Sequence, residues 1–163
     1  MKFKSVTLIA VFLSCMSFNV YAQKWAEAIE MQQKKLDYLQ SQIIASNEKI
    51  LALNTTNFIS ARQDAYDLQA QMSDHIQNIG YMLTNVQIQH MLFEMITSPS
   101  QITKAKKLMQ VRQTQLTKEL FYRIGGIERQ SKMSKDNETT RFIFETRDLV
   151  KSTQELINTN FKY

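Results

Sequence analysis

The chain has 163 residues, a formal net charge of +5, three glycines, one proline and one cysteine. Turns between strands depend on Gly and Pro, so this composition excludes a turn-rich β fold. Gln, Lys, Leu, Ile, Met and Ala dominate instead, and these residues favour helix. The composition therefore predicts an all-α fold with long helices and short connections.

The first 22 residues have the pattern of a cleaved secretory signal peptide. A short basic region is followed by an apolar stretch over residues 6–16, and Val20 and Ala22 fit the small-residue rule of signal peptidase. Cleavage after Ala22 would make Gln23 the mature N-terminus. We therefore expect residues 23–163 to form a single helical domain in the bacterial periplasm or at the cell surface.

Two alternatives for the leader remain open. A retained leader would act as a membrane anchor, and the helix from Lys24 onwards would be a coiled-coil linker. Lipidation is the other alternative, because Ser14-Cys15 loosely resembles a lipobox. Cleavage after Ala22 would remove Cys15, the only cysteine. The mature chain would then have no disulfide, no thiolate nucleophile and no cysteine ligand for a metal.

The first predicted helix covers residues 24–53. Apolar residues recur in two interleaved series with a period of seven, which is typical of a helix that packs lengthwise against another helix. Gln32 and Ser46 interrupt the second series. The run from Asn54 to Asn57 predicts a break after the helix. The predicted packing residues are Trp25, Ile29, Leu36, Leu39, Ile43 and Ile50.

The second predicted helix covers residues 58–97. Its packing residues, again at heptad and 3-4 spacing, are Met72, Ile79, Leu83, Val86 and Phe93. Near its end the apolar surface widens nearly all round the helix. That widening predicts either a more deeply buried zone or a surface for a partner. The candidate partner surface consists of Met91, Leu92, Met95 and Ile96.

Two further helices are predicted over residues 99–128 and 137–161. Ser98-Pro99-Ser100-Gln101 has the pattern of a capping box with proline at the first helical position. The Gly125-Gly126 pair indicates a loosened helix end, a close helix contact or a hinge. The fourth helix carries a strand-like stretch, Phe142-Ile143-Phe144, as an alternative. Short connections predict an elongated antiparallel bundle, coiled-coil-like, with three long helices and a shorter C-terminal one.

We find no pattern that predicts catalysis or a cofactor. His75 and His90 are the only histidines, and 15 residues of helix would separate them by roughly 22 Å, too far to share a metal. His90 and Glu94 lie one turn apart, but two ligands on an apolar face are more typical of packing. The sequence therefore predicts a non-enzymatic protein without a metal, a cofactor or a small-molecule substrate.

Charge is unevenly distributed along the predicted mature chain. Residues 23–98 contain five basic and eight acidic residues, whereas residues 99–163 contain thirteen basic and seven acidic residues. Acidic and basic helices that pack together would partly neutralise each other. No dense basic cluster interleaves with stacking aromatics, so nucleic acid is not favoured as a partner. Protein partners are predicted, with self-association and contact with a membrane surface as open alternatives.

The leader ends in Val20-Tyr21-Ala22, and the predicted mature chain opens with Gln23-Lys24-Trp25-Ala26. That chain has no cysteine and three long helices rich in Gln, Met and Ile. In these features it resembles the small periplasmic, minor-pilin-like subunits of conjugative type IV secretion systems. The resemblance covers architecture and carries over no functional residue. It implies a binding role at a pilus tip or in a transfer channel, in a structural or assembly component of a cell-envelope machine.

A periplasmic holdase chaperone is the alternative function. The leader, the length, the basic character and the long helices are similar to the trimeric, tentacled chaperone of outer-membrane proteins. That family begins its mature chain with a β-strand and has a second strand near the C-terminus. Residues 23–38 of this chain instead have a helical, amphipathic pattern, so the chain departs from the family at this point.

Overall fold

A computed structural model describes the backbone of residues 4–52 and 60–160 and the side chains of residues 25–52 and 62–159. These residues form four helices and no strand: α1 (Lys4–Ala52), α2 (Ser60–Glu94), α3 (Pro99–Ser131) and α4 (Asn137–Asn160). The prediction of an all-α fold is confirmed. The strand-like Phe142-Ile143-Phe144 lies within α4, so the helical interpretation of this stretch is the right one.

Three helix boundaries differ from the predicted ones. Helix α1 begins at Lys4, because no Gly or Pro interrupts the chain between the leader and residue 24. Helix α2 ends at Glu94, three residues before the predicted end, and α3 continues to Ser131. Residues 53–59, which contain the predicted break, lie outside the described residues, as do residues 161–163.

The two helix starts in the second half of the chain are capped differently. Pro99 occupies the first turn of α3 as predicted, but Ser98 makes no capping hydrogen bond. Its hydroxyl lies 3.2 Å from the Ser100 hydroxyl instead, so the predicted capping box is wrong. At α4, Asp136 Oδ1 accepts a hydrogen bond of 2.8 Å from the Thr139 backbone N–H. This is the geometry of an N-cap, which satisfies one of the backbone donors that a helix start leaves unpaired.

Helices α1 and α2 contact each other along their lengths. The Trp25 and His90 rings meet edge to face with centroids 4.5 Å apart, and Gln40 Nε2 donates to Ser73 Oγ at 3.4 Å. Between these points Gly80 is buried, and a Cβ added there would lie 3.1 Å from Gln33 Nε2. The missing side chain therefore allows the two helices to approach. Contacts early in α1 therefore involve residues late in α2.

Helices α3 and α4 complete the packing. On α1, Gln32 contacts Thr153 of α4, while Gln42 lies ten residues later and bonds to Arg141 at 3.1 Å. Gln113 of α3 donates to the Ile157 carbonyl of α4 at 3.3 Å. Helix α3 contacts α2 through His75 and Arg123, and an ion pair of 3.0 Å joins Lys135, just beyond α3, to Asp64.

One core connects the four helices. Nine of the eleven predicted packing residues are buried, and Ile50 and Phe93 are half-buried. The sequence pattern also places six apolar residues on one side of the third helix. The last four of them are buried, whereas the first two, Ile102 and Met109, are half-buried. The four buried residues are Leu116, Leu120, Ile124 and Ile127. The buried predicted packing residues are Trp25, Ile29, Leu36, Leu39, Ile43, Met72, Ile79, Leu83 and Val86.

Polar side chains also enter this core from α4. Thr139, Thr146 and Thr153 recur every seven residues and are fully buried. Gln32 Nε2 donates to Thr153 Oγ1 at 3.0 Å and to Ser152 Oγ at 2.7 Å, and Gln69 Nε2 donates to Thr139 Oγ1 at 2.8 Å. Hydrogen bonding offsets the cost of burying these groups. Within the described residues, the Thr146 hydroxyl has no hydrogen-bond partner.

In the part of the chain that the structure describes, we find no helical segment apolar and long enough to cross a membrane.

Candidate interaction site at the junction of α2 and α3

An open apolar groove of about 370 Å³ lies where α2 ends and α3 begins. The residues from α3 have the spacing i, i+3, i+4, i+7, which places them on one face of that helix. From the end of α2 come Gln89, Leu92 and Phe93, followed by Ile96 just beyond the helix, and from α3 come Ala105, Leu108, Met109 and Arg112. The groove therefore has one mostly apolar side from α2 and its following residues and another from α3.

The groove is open because the first half of α3 has few neighbours. The buried residues of α3 begin only at Leu116. Helix α4 packs along α3 from Gln113 onwards, where the Ile157 carbonyl accepts the hydrogen bond of Gln113, and the described part of α4 ends at Asn160. A small cavity of about 10 Å³ beside Val86 and Ile157 marks the inner end of the groove. Beyond it, the chain supplies no described residue that covers the two apolar sides.

The predicted partner surface is partly in this groove. Met91, Leu92 and Met95 are exposed, Leu92 by 58%, and Ile96 is half-buried. Leu92 and Ile96 line the groove, whereas Met91 and Met95 do not. The interpretation of this region as a deeply buried zone is wrong for the three exposed residues.

Sequence reasoning missed the contribution of α3. Leu108, which is 71% exposed, lines the groove together with Ala105 and Met109. Val111 is exposed as well. The available signal was the apolar Leu108 within a lysine-rich stretch, away from the packing series of Ile102 and Met109. A leucine on an otherwise charged helix face indicates a surface that is not purely solvated.

Positive charge surrounds the α3 side of the groove. Between Pro99 and Lys118 the sequence contains five basic residues and no acidic one. All five side chains are exposed, and within the described residues none forms an ion pair. Lys104 and Arg112 lie one turn before and one turn after Leu108, on the same face of the helix. The five cations are Lys104, Lys106, Lys107, Arg112 and Lys118.

Known proteins do not supply an interpretation of this groove. Comparison with protein families, curated proteins and solved structures finds no match to this chain. Its function must therefore be argued from the groove and from the residues around it.

His90 lies in α2 near the groove and packs between two side chains. The Trp25 ring lies against one edge, and His90 Nε2 is 3.1 Å from Glu94 Oε1. Burial lowers the pKa of His90, although the Glu94 carboxylate acts in the opposite direction. A ring of lowered pKa that is held by packing and by one carboxylate suits a structural role.

His75 occupies a separate site about four turns earlier in α2. Arg123 Nη1 lies 3.4 Å from His75 Nδ1. Burial and the Arg123 guanidinium lower the pKa of His75, while Gln130 and Asp74 act in the opposite direction. Within the described residues no three His, Cys, Asp or Glu side chains are grouped closely enough to hold a metal ion.

Proposed function

We propose that this chain is an exported, non-enzymatic helical protein that serves as a structural or assembly component of a bacterial cell-envelope machine, such as a conjugative type IV secretion system. Its fold would be an elongated antiparallel helical bundle, coiled-coil-like, with three long helices and a shorter C-terminal one. The single observation that supports a binding role is the apolar groove between α2 and α3, which no described residue covers.

The groove supports this role because exposed apolar surface is costly unless something covers it. Isolated exposed apolar side chains are ordinary, but contiguous apolar patches rimmed by polar residues mark interaction sites. Leu92, Leu108 and Met95 are each more than half exposed and lie where α2 ends and α3 begins. A surface of this kind suits a subunit that joins an assembly through this junction.

Export is supported by the sequence of the leader, because Val20 and Ala22 fit the small-residue rule of signal peptidase. Cleavage after Ala22 would place Trp25, which is buried against α2, close to the start of the mature chain.

Two measurements test the proposal. The intact mass of the protein purified from the envelope fraction should correspond to a chain that begins at Gln23, whereas a mass that includes Met1 would support the anchored linker instead. Deletion of the gene should abolish assembly of the envelope machine, measured as conjugative transfer, and the parent gene should restore it. Normal transfer in the deletion strain would overturn the proposed role.

A holdase chaperone is the second candidate, because an exposed apolar groove is also what an unfolded client would bind. The two functions differ in oligomeric state and in selectivity. A stable trimer that suppresses the thermal aggregation of unrelated outer-membrane proteins would favour the chaperone. A protein that leaves such aggregation unchanged while transfer depends on it would favour the assembly component. Light scattering measures both properties.

A further inference from the structure

The two sides of the groove match the shape that a third helix requires. Residues 105–112 of α3 present an i, i+3, i+4, i+7 face over about two turns, or roughly 10 Å, and the last turn of α2 with Ile96 beyond it forms the other side. An amphipathic helix laid between them would bury its own apolar stripe against both faces, as helices do in apolar grooves of other proteins. A flat occupant would leave the inner side chains, Phe93 and Met109, uncovered.

The positive charges around the groove determine which kind of partner can bind there. Lys104, Leu108 and Arg112 follow one another at intervals of four residues, so an apolar anchor has a cation one turn away on each side. No acidic residue lies between Pro99 and Lys118 to neutralise them. A second copy that docked by the same face would bring these cations towards their counterparts, because a two-fold interface pairs a patch with itself. Like charges opposed in this way disfavour self-association.

We propose that this groove binds one amphipathic helix of a partner protein, whose apolar stripe carries acidic residues one turn before and one turn after its central anchor. The inference rests on the proposed function, because it names the partner that the assembly role requires. The acidic side chains pair with Lys104 and Arg112, while the central apolar anchor contacts Leu108 and Leu92. Since these rim charges are exposed, they determine which partner binds more than how tightly it binds.

Two synthetic peptides of about 14 residues test this proposal directly. Both peptides carry leucines at positions i, i+3, i+4 and i+7, and the leucine at i+4 is the central one. The peptides differ only at i+1 and i+8, one turn before and one turn after it, where one peptide has glutamate and the other has lysine. Isothermal titration calorimetry with the exported protein should show the glutamate peptide binding at least about tenfold more tightly than the lysine peptide. Added salt should reduce this difference.

Variants then assign the binding to the groove. Leu108→Gln should weaken binding of the glutamate peptide by about tenfold, because it removes the central apolar contact. The control Leu51→Gln changes a leucine of α1 that is also exposed, and binding should stay unchanged. The double variant Lys104→Gln, Arg112→Gln should make the two peptides bind about equally, whereas Lys132→Gln, an exposed control beyond α3, should preserve the preference. Circular dichroism checks that each variant is folded.

Several results would overturn the proposal. These are failure of both peptides to bind, equal binding of both peptides to the parent protein, or binding that Leu108→Gln leaves intact. Leu108-dependent binding to vesicles of phosphatidylethanolamine and phosphatidylglycerol, without peptide binding, would assign the face to a lipid surface. A dimer that Leu108→Gln dissociates would assign it to a second copy. Peptide binding seen only in a Phe161→Ala variant would assign it to the chain's own C-terminal segment.

Failure of this inference is distinguishable from failure of the proposed function. If transfer depends on the gene and a Leu108→Gln gene restores it fully, the assembly role stands and the helix-binding groove does not. If the peptides bind as expected and deletion leaves transfer unchanged, the groove stands and the assembly role does not.

Discussion

The two halves of α3 contain similar apolar residues in different surroundings. From Leu116 onwards one apolar stripe of the helix is buried, and Leu116 is only 4% exposed, although Phe121 and Tyr122 on the other side remain exposed. Before Leu116 no residue of the helix is buried, and Leu108 is 71% exposed. The second half of the helix therefore contributes to the core, whereas the first half lies mostly in solvent. An amphipathic pattern indicates that a stripe will be covered, but it does not say whether the chain itself covers it.

The largest expected effect comes from placing a charge in the buried region that α1 and α2 share. Leu39→Asp and Leu83→Asp should each reduce the free energy of unfolding by at least about 4 kcal/mol, because each buries an unpaired carboxylate. Leu83 is fully buried. The melting temperature from circular dichroism measures the effect.

Asn85→Asp is the matched control for these variants. It adds the same charge two residues from Leu83 on the exposed side of α2, and we expect a change within about 0.5 kcal/mol. If both core variants melt like the parent protein, the packing of α1 against α2 is wrong.

The same substitution at two positions of α3 tests the comparison between its halves. Leu116→Gln should reduce the free energy of unfolding by about 2–4 kcal/mol, because it replaces a buried apolar side chain with an amide. Leu108→Gln should change the free energy of unfolding by less than about 0.5 kcal/mol, because the residue is mostly in solvent. Urea unfolding measures both values. Equal costs at the two positions would contradict the contrast between a covered and an uncovered half.

A smaller effect is expected within the threonine series of α4. Thr153→Val should cost about 1 kcal/mol, because Thr153 Oγ1 accepts a hydrogen bond from Gln32. Thr146→Val should be neutral or stabilising by up to about 1 kcal/mol, because it replaces a buried hydroxyl that no described group bonds. The two variants control for each other, since the change in shape is the same. Matching losses of stability in urea would mean that the hydroxyl at Thr146 is satisfied.

The smallest expected effect is the loss of stability at mildly acidic pH. Both histidines have a pKa below the ordinary value of 6.5, His75 through burial and Arg123, and His90 through burial. As the pH falls below 6.5, the unfolded chain takes up protons that the folded chain does not, so stability decreases until the folded pKa is reached. Between about pH 7.5 and 5.5 we expect the melting temperature to fall by a few degrees. His75→Gln should reduce this fall, and an unchanged slope would contradict the role of His75.

The fold was more accessible from the sequence than the site was. Heptad and 3-4 spacing identified Leu36, Ile43, Ile79 and Leu83 as packing residues because burial requires one apolar face. The same spacing placed Gln32 in the packing series of the first helix, but it could not show which group would bond the buried amide, since its partner Thr153 lies 121 residues away. Leucines and methionines at the end of α2 indicated a candidate surface. The first half of α3 is exposed because the described part of α4 does not extend along it. This depends on tertiary packing and produces no local pattern in the sequence of α3.

The contact between Trp25 and His90 gives the molecule an optical reporter of its own. Trp25 is the only tryptophan, so the tryptophan fluorescence of the protein comes from a single known place. The Trp25 ring contacts the His90 ring. Gln89, the residue before His90 in α2, lines the groove. A ligand that enters the groove should therefore shift the emission of unlabelled protein, and a charged imidazole should quench it. Occupancy of the groove could then be followed in a cuvette without attaching any dye.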